Sequence, residues 1–228
     1  MRKFYAAAFV ALLISGAGIQ GAQAATVTPK AYSMAQSDPR SDVARLTATQ
    51  AKTLQAQIDS QLKKTPGGTQ VSANEISWQN GNIIMSFPLP SQRTAPETSP
   101  KLVSTAKGNG VSPRGTGTCY DSGTCQYQKC PYGFHDQWYC LYQDGDYGGR
   151  RLQWKDHYSY LKQLSEWDFD YKASGWVNTS MSTTVEVFGP GDERLWVEPS
   201  RDNFFSDPTH SAYVGDYAND KATSFEAN

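Results

Sequence analysis

The apolar positions of this chain change period several times, and each change marks a boundary. From Phe4 to about Ala17 they run almost unbroken behind Arg2 and Lys3, and the small-residue site Ala22-Gln23-Ala24 follows. That run falls short of the roughly 20 residues of a transmembrane helix, and its charged start and small-residue end make residues 1–24 a signal peptide. Residues 25–45 show no sustained period and are rich in Thr, Ser, Asp and Pro, which predicts a disordered leader. Ala51, Leu54, Ile58 and Leu62 then recur at helical spacing as one narrow stripe. Thr47 is placed to cap this helix with Gln50 completing a capping box, Leu46 to staple onto Ala51, and Thr65-Pro66-Gly67-Gly68 to end it. Alternation follows, with Ile76 and Trp78 before Asn80-Gly81 and Ile83, Met85 and Phe87 after it. A two-residue Asn-Gly turn sets Trp78 opposite Ile83 and Ile76 opposite Met85, all on one face that suits the helix stripe.

The α-β-β module so defined, residues 46–88, is near the size at which an unaided core is marginal. It should therefore dock, on its own C-terminal domain, on a second copy or on another protein. Residues 89–118 follow Pro88 with Pro90, Pro96, Pro100 and Pro113 among many Ser, Thr and Gly. They predict an extended, exposed linker and the easiest site for proteolysis. In residues 119–228 aromatic side chains fill 22 of 110 positions between strong turn signals, which predicts an all-β domain. The domain contains a repeat. Tyr139-Cys140-Leu141-Tyr142 matches Val185-Glu186-Val187-Phe188, each followed by a Gly-Asp turn (Gly145-Asp146, Gly191-Asp192) and a second strand from Arg151-Leu152 or Arg194-Leu195. Later, Asp170, Ser174 and Asn178 match Asp220, Ser224 and Asn228 at an offset of 50.

Charge divides the chain the same way. Residues 25–118 hold ten basic and five acidic residues, net +5; residues 119–228 hold nine and seventeen, net −8. The acidic half argues against nucleic acid, which needs clustered Lys and Arg, and tolerates a bound cation. Cys119, Cys125, Cys130 and Cys140 lie within 22 residues of an exported chain, the pattern of disulfides. Their spacing does not suit the paired C-x₂₋₄-C of a zinc site. Of the three possible pairings, Cys130 with Cys140 and Cys119 with Cys125 is favoured.

Tyr142-x₄-Tyr147-x-Gly149 resembles the βγ-crystallin Greek-key signature, in which the first aromatic braces a corner and the glycine takes a positive φ. The expected fold is mainly β, a βγ-crystallin-like double Greek-key sandwich preceded by the α-β-β module. Asn219-Asp220-Lys221-Ala222-Thr223-Ser224 resembles the calcium pattern of that family, and Phe169-Asp170-Tyr171-Lys172-Ala173-Ser174 a decayed copy. The resemblance implies calcium as cofactor, with Asn219, Asp220, Ser224, Asp170 and Ser174 as candidate ligands. Asp and Ser in such loops equally satisfy backbone groups at turns without metal. The run from Cys130-Pro131-Tyr132-Gly133 through Tyr147-Gly148-Gly149-Arg150-Arg151-Leu152 is similar to the secreted actinobacterial metalloproteinase-inhibitor and killer-toxin-like family. The α-β-β module also resembles a segment that precedes the domain in some relatives.

Motifs of hydrolases and phosphate-binding loops are absent from the sequence, and His135, His157 and His210 are scattered across loop-like stretches. The resemblance therefore implies a secreted, non-enzymatic peptidase inhibitor that binds an extracellular metalloprotease. No inhibitory loop can be named, since no cysteine follows Cys140 to brace one. The alternatives are a calcium-stabilised structural or cell-surface-associated protein and a killer-type toxin. Sugar binding by the excess aromatics is weighed against their use as core, which the fold favours.

Overall fold

The helix of Ala48–Lys64 forms where the sequence signals it. In the computed structural model, which describes residues 28–103, 125–132, 137–155, 157–203 and 206–228, Thr47 accepts from the Gln50 amide and the Gln50 side chain returns to Thr47, a complete capping box. The signal peptide, residues 104–118 of the expected linker, Cys119 and His135 lie outside the described residues. In chain order the elements are α1 (Lys30–Ala35), α2 (Ala48–Lys64), β1 (Thr69–Ser72), β2 (Glu75–Trp78), β3 (Ile83–Ser86) and α3 (Pro100–Val103). They continue with β4 (Cys125–Tyr127), β5 (Cys130–Tyr132), β6 (Tyr139–Asp144), β7 (Gly148–Trp154), β8 (Tyr158–Gln163) and β9 (Gly175–Asn178). The last four are β10 (Val185–Phe188), β11 (Arg194–Glu198), β12 (Thr209–Ser211) and β13 (Ser224–Ala227). None of the described helices is long and apolar enough to cross a membrane.

Strands β6 to β13 make two Greek keys. One sheet carries β7-β6-β9-β12 and the other β11-β10-β13-β8. In each key the fourth strand returns beside the first, while the third strand, β8 or β12, crosses to the sheet of the other key. This reciprocal exchange is the crystallin-like sandwich that the sequence predicts. Its corner signature holds as well: Gly149 has φ +69°, a Cβ there would meet the Gln143 Cβ at 2.8 Å, and the Tyr142 and Tyr147 rings pack edge to face at 5.3 Å. Cys130 and Cys140 form a disulfide. Cys125 is disulfide-bonded too.

The N-terminal module docks on this domain by extending its sheet. The Asn80-Gly81 turn has positive φ at both residues and pairs Trp78 with Ile83 and Ile76 with Met85, as the sequence predicts. Beyond it β3 pairs antiparallel with β7, Ile83 facing Trp154 and Met85 facing Leu152. The result is one seven-stranded sheet, β1-β2-β3-β7-β6-β9-β12. One hydrophobic cluster runs from Ala31, Leu54 and Ile58 of the helices through Ile76, Met85, Leu152 and Trp154 to Val187 and Phe225 of the second sheet. Module and domain therefore share a core. The opposite face of the large sheet carries Ile84, Cys140, Tyr142 and Val177, packed with Val103 and Trp138.

Three expectations are corrected. The leader is structured from residue 28: Ala31, Ala35 and Val43 are buried, the Ala31 amide donates to Gln55 at 2.7 Å, and Arg40 joins Asp38 at 2.6 Å and buried Glu75 at 3.2 Å. Its anchors are too few and too widely spaced to produce a periodic signal. The module has three strands, because β1 is built of Thr69, Gln70, Val71 and Ser72 and buries Gln70 and Ser72. Finally, residues 89–103 are packed instead of extended in solvent. Leu89, Ala95, Thr98 and Val103 are buried. Wholly enclosed Arg151 donates to the Pro96 carbonyl, Ser86 and Thr98 at 2.9–3.1 Å. Polar groups hold this segment, so its composition resembles that of a linker.

Candidate functional site

The two predicted calcium loops lie side by side across the pseudo-twofold of the sandwich. The Tyr171 amide donates to the Ala222 carbonyl at 2.7 Å and the Asp220 amide to the Ala173 carbonyl at 3.2 Å. Tyr171 and Asp220 both have left-handed φ, 56° and 57°. Together with the strand starts at Gly175 and Ser224, these reciprocal bonds set the structural offset between the repeats at 49, not 50. Asp170 is therefore the counterpart of Asn219, Tyr171 of Asp220, Ser174 of Thr223 and Gly175 of Ser224. The offset of 49 brings Thr223, the counterpart of Ser174, into the candidate set, a residue the offset of 50 hides.

The loops differ in what they offer a cation. In the second, Asn219 Oδ1 is buried without a partner while its Nδ2 donates to the Asp220 carboxylate at 2.9 Å. The Thr223 hydroxyl faces the Phe188 carbonyl at 3.3 Å, and Ser224 is buried at the start of β13. An orphaned amide oxygen beside a carboxylate fits part of a hard-oxygen calcium shell. In the first, the Lys172 ammonium lies 3.3 Å from the Asp170 carbonyl and 3.5 Å from the Asp168 carboxylate, and Ser174 Oγ donates to the Gln143 carbonyl at 2.8 Å. A cation of the protein's own already stands there. Among the described residues no cluster of three or more His, Cys, Asp or Glu side chains is placed to hold a metal.

A second feature stands on the same domain. Residues 190–194, the turn between β10 and β11, are five successive exposed residues. Their base is closed by the Gly189 amide donating to the Glu193 carbonyl at 2.8 Å, and Tyr217 donates to the Glu193 carboxylate. Arg194 pairs with Glu186 at 3.2 Å. Pro190 fixes one φ, and Gly191 and Asp192 adopt left-handed φ. The turn is thus pre-shaped without a disulfide. His157 contacts Thr183, and His210 contacts Tyr127 and the Pro208 carbonyl.

Glu198, at the end of β11, is a carboxylate strongly affected by its surroundings. It is wholly buried, accepts from Trp196 Nε1 at 3.0 Å, and leaves Oε2 without a partner. Burial pushes its carboxyl up to about 8 against the opposing effect of the Trp196 bond.

Comparison with solved structures returns βγ-crystallin domains. A clostrillin double mutant crystallised with nickel is 21% identical, covering 40% of this chain and 97% of that one, with a TM-score of 0.27. A βγ-crystallin domain from Clostridium beijerinckii is 22% identical over 39% of this chain and 94% of that one, with a TM-score of 0.26. No family model matches the chain. No curated protein matches either. The fold assignment accordingly rests on the strand order above.

Proposed function

We propose that this chain is a secreted peptidase inhibitor-like protein that binds an extracellular protease, a metalloprotease in the first place, without chemistry of its own. The observation that supports this reading is the turn at 190–194, which is exposed throughout yet held in one shape by Pro190, the Gly189–Glu193 bond and the Tyr217 clamp. A loop ordered before binding loses little conformational entropy when it enters a cleft. The test is a titration of the mature chain against thermolysin-like and subtilisin-like proteases. Stoichiometric inhibition of the metalloprotease, weakened by Pro190→Gly with Glu193→Ala, is expected; no inhibition of any at micromolar concentration removes the reading.

A second reading, a calcium-stabilised structural or cell-surface-associated protein, is favoured by the partnerless Asn219 Oδ1 beside Asp220. Asn219, Asp220 and the Thr223 hydroxyl would hold the ion, and calcium would supply stability by tying down the second loop. A melting temperature that rises with calcium in chelator-stripped protein is its expected signature. An unchanged melting temperature returns these loops to ordinary turns.

A further inference from the structure

A cleft of about 1110 Å³ opens where the module meets the β domain, between α2, residues 87–93 and the ends of β6 and β7. One wall is a stripe of α2, with Lys52, Ala56, Ser60 and Lys64 at successive four-residue steps. Twelve residues at 1.5 Å each separate Lys52 from Lys64 by about 18 Å along the axis, and the small Ala56 and Ser60 leave the middle open. Arg93, Arg150 and Lys172 line the rest, so five cationic side chains face three carboxylates, Asp144 and Asp168 in the lining and Asp146, which pairs with Arg93 at 3.3 Å. Around Asp168 the imbalance is local: Lys64 at 3.0 Å, Lys172 at 3.5 Å and Arg150 at 3.6 Å converge on a single carboxylate. A concave wall with excess positive charge concentrates anions, and three of its five cations come from the basic residues 25–118.

We infer that this cleft binds an extended acidic peptide segment of a partner protein, about five residues long. The length follows from 18 Å at roughly 3.3 Å per extended residue. Exposed Gln57 and Gln92 on the cleft walls each present an amide donor and acceptor, the pair a peptide backbone requires. Acidic sugars fit less well, because the one aromatic lining residue, Phe87, is buried and offers no stacking face. Asp168 competes internally for the same cations, so it sets the affinity as well as the shape. This site is separate from the turn at 190–194 and does not depend on the protease reading.

The test uses the mature chain and a fluorescein-labelled hexa-glutamate peptide, read by anisotropy at 25 and 150 mM salt. Saturable binding that weakens with salt is expected, and Lys52→Glu with Lys64→Glu, both exposed positions, should weaken it about tenfold or more. Asp168→Asn should tighten it several-fold, an effect that damage to the fold would not produce; unchanged melting temperatures establish that the variants are folded. The inference is overturned by no saturable binding, by equal affinity of the charge-reversed variant, or by tighter binding of hexa-lysine, single-stranded DNA or an oligogalacturonate of equal charge.

Discussion

Replacing Glu198 by Gln should remove a large part of the pH dependence of stability. Unfolded, this carboxyl titrates near 4.5; folded, burial holds it near 8. The folded state therefore binds more protons than the unfolded state between these values, and stability falls as pH rises through that window. It is fully present below 4.5 and levels off above about 8. At roughly 1.4 kcal/mol per unit, with the curvature at both ends, the loss from pH 5 to pH 8 is about 3–4 kcal/mol. Gln keeps the oxygen that accepts from Trp196 and carries no proton to lose. Urea unfolding of both proteins at pH 5, 6, 7 and 8 should show the wild type losing about 3–4 kcal/mol relative to Glu198→Gln, with similar stability at pH 5. Parallel pH profiles would refute the reasoning and mean that water or a basic neighbour reaches this carboxylate in the folded protein.

Three further outcomes follow from the packing and the loops. Residues 119–228 expressed alone should fail to give a cooperatively melting domain, because removing β3 bares the edge of β7 and opens the core beside Leu152 and Trp154; a sharp thermal transition from that fragment would show that the module is an accessory. Gly149→Ala should cost on the order of 2–3 kcal/mol, combining a left-handed φ with a Cβ placed 2.8 Å from Gln143, and an unchanged urea midpoint would contradict the corner geometry. For calcium, Asp220→Ala should abolish most of any thermal shift, about 2.7 kcal/mol at a hundredfold excess over Kd, whereas Asp170→Ala should leave it intact because Lys172 stands at the first loop; equal losses would place the ion elsewhere.

What the sequence reveals depends on where the stabilising contacts lie. The α2 cap, the Asn80-Gly81 turn with its register and the β6 and β10 strands are readable because each is set by neighbours a few residues away. The packing of residues 28–45 and 89–103 is hidden because it depends on Gln55, Glu75, Arg151 and Ser86, which are distant in sequence, and on polar groups whose burial no hydrophobic pattern records. The shared core is hidden for a related reason: Arg151-Leu152 reads as one half of a Greek-key hairpin, and nothing near it announces that β3 will pair on its free side. At the candidate calcium loops the residue types are legible, yet the alignment slips by one, since letters match at 50 while backbone conformation matches at 49. In the sequence the turn at 190–194 shows only as Gly191-Asp192; its exposure and the Tyr217 clamp are tertiary.

The claim that this protein acts by presenting a pre-shaped turn to a protease is tested most directly by isothermal titration of the mature chain into a thermolysin-like metalloprotease, beside Pro190→Gly with Glu193→Ala. A one-to-one complex that blocks hydrolysis of a peptide substrate is expected, and a markedly weaker one for the variant at unchanged melting temperature. A chain that binds no protease, or a variant that inhibits as well as the wild type, would contradict it.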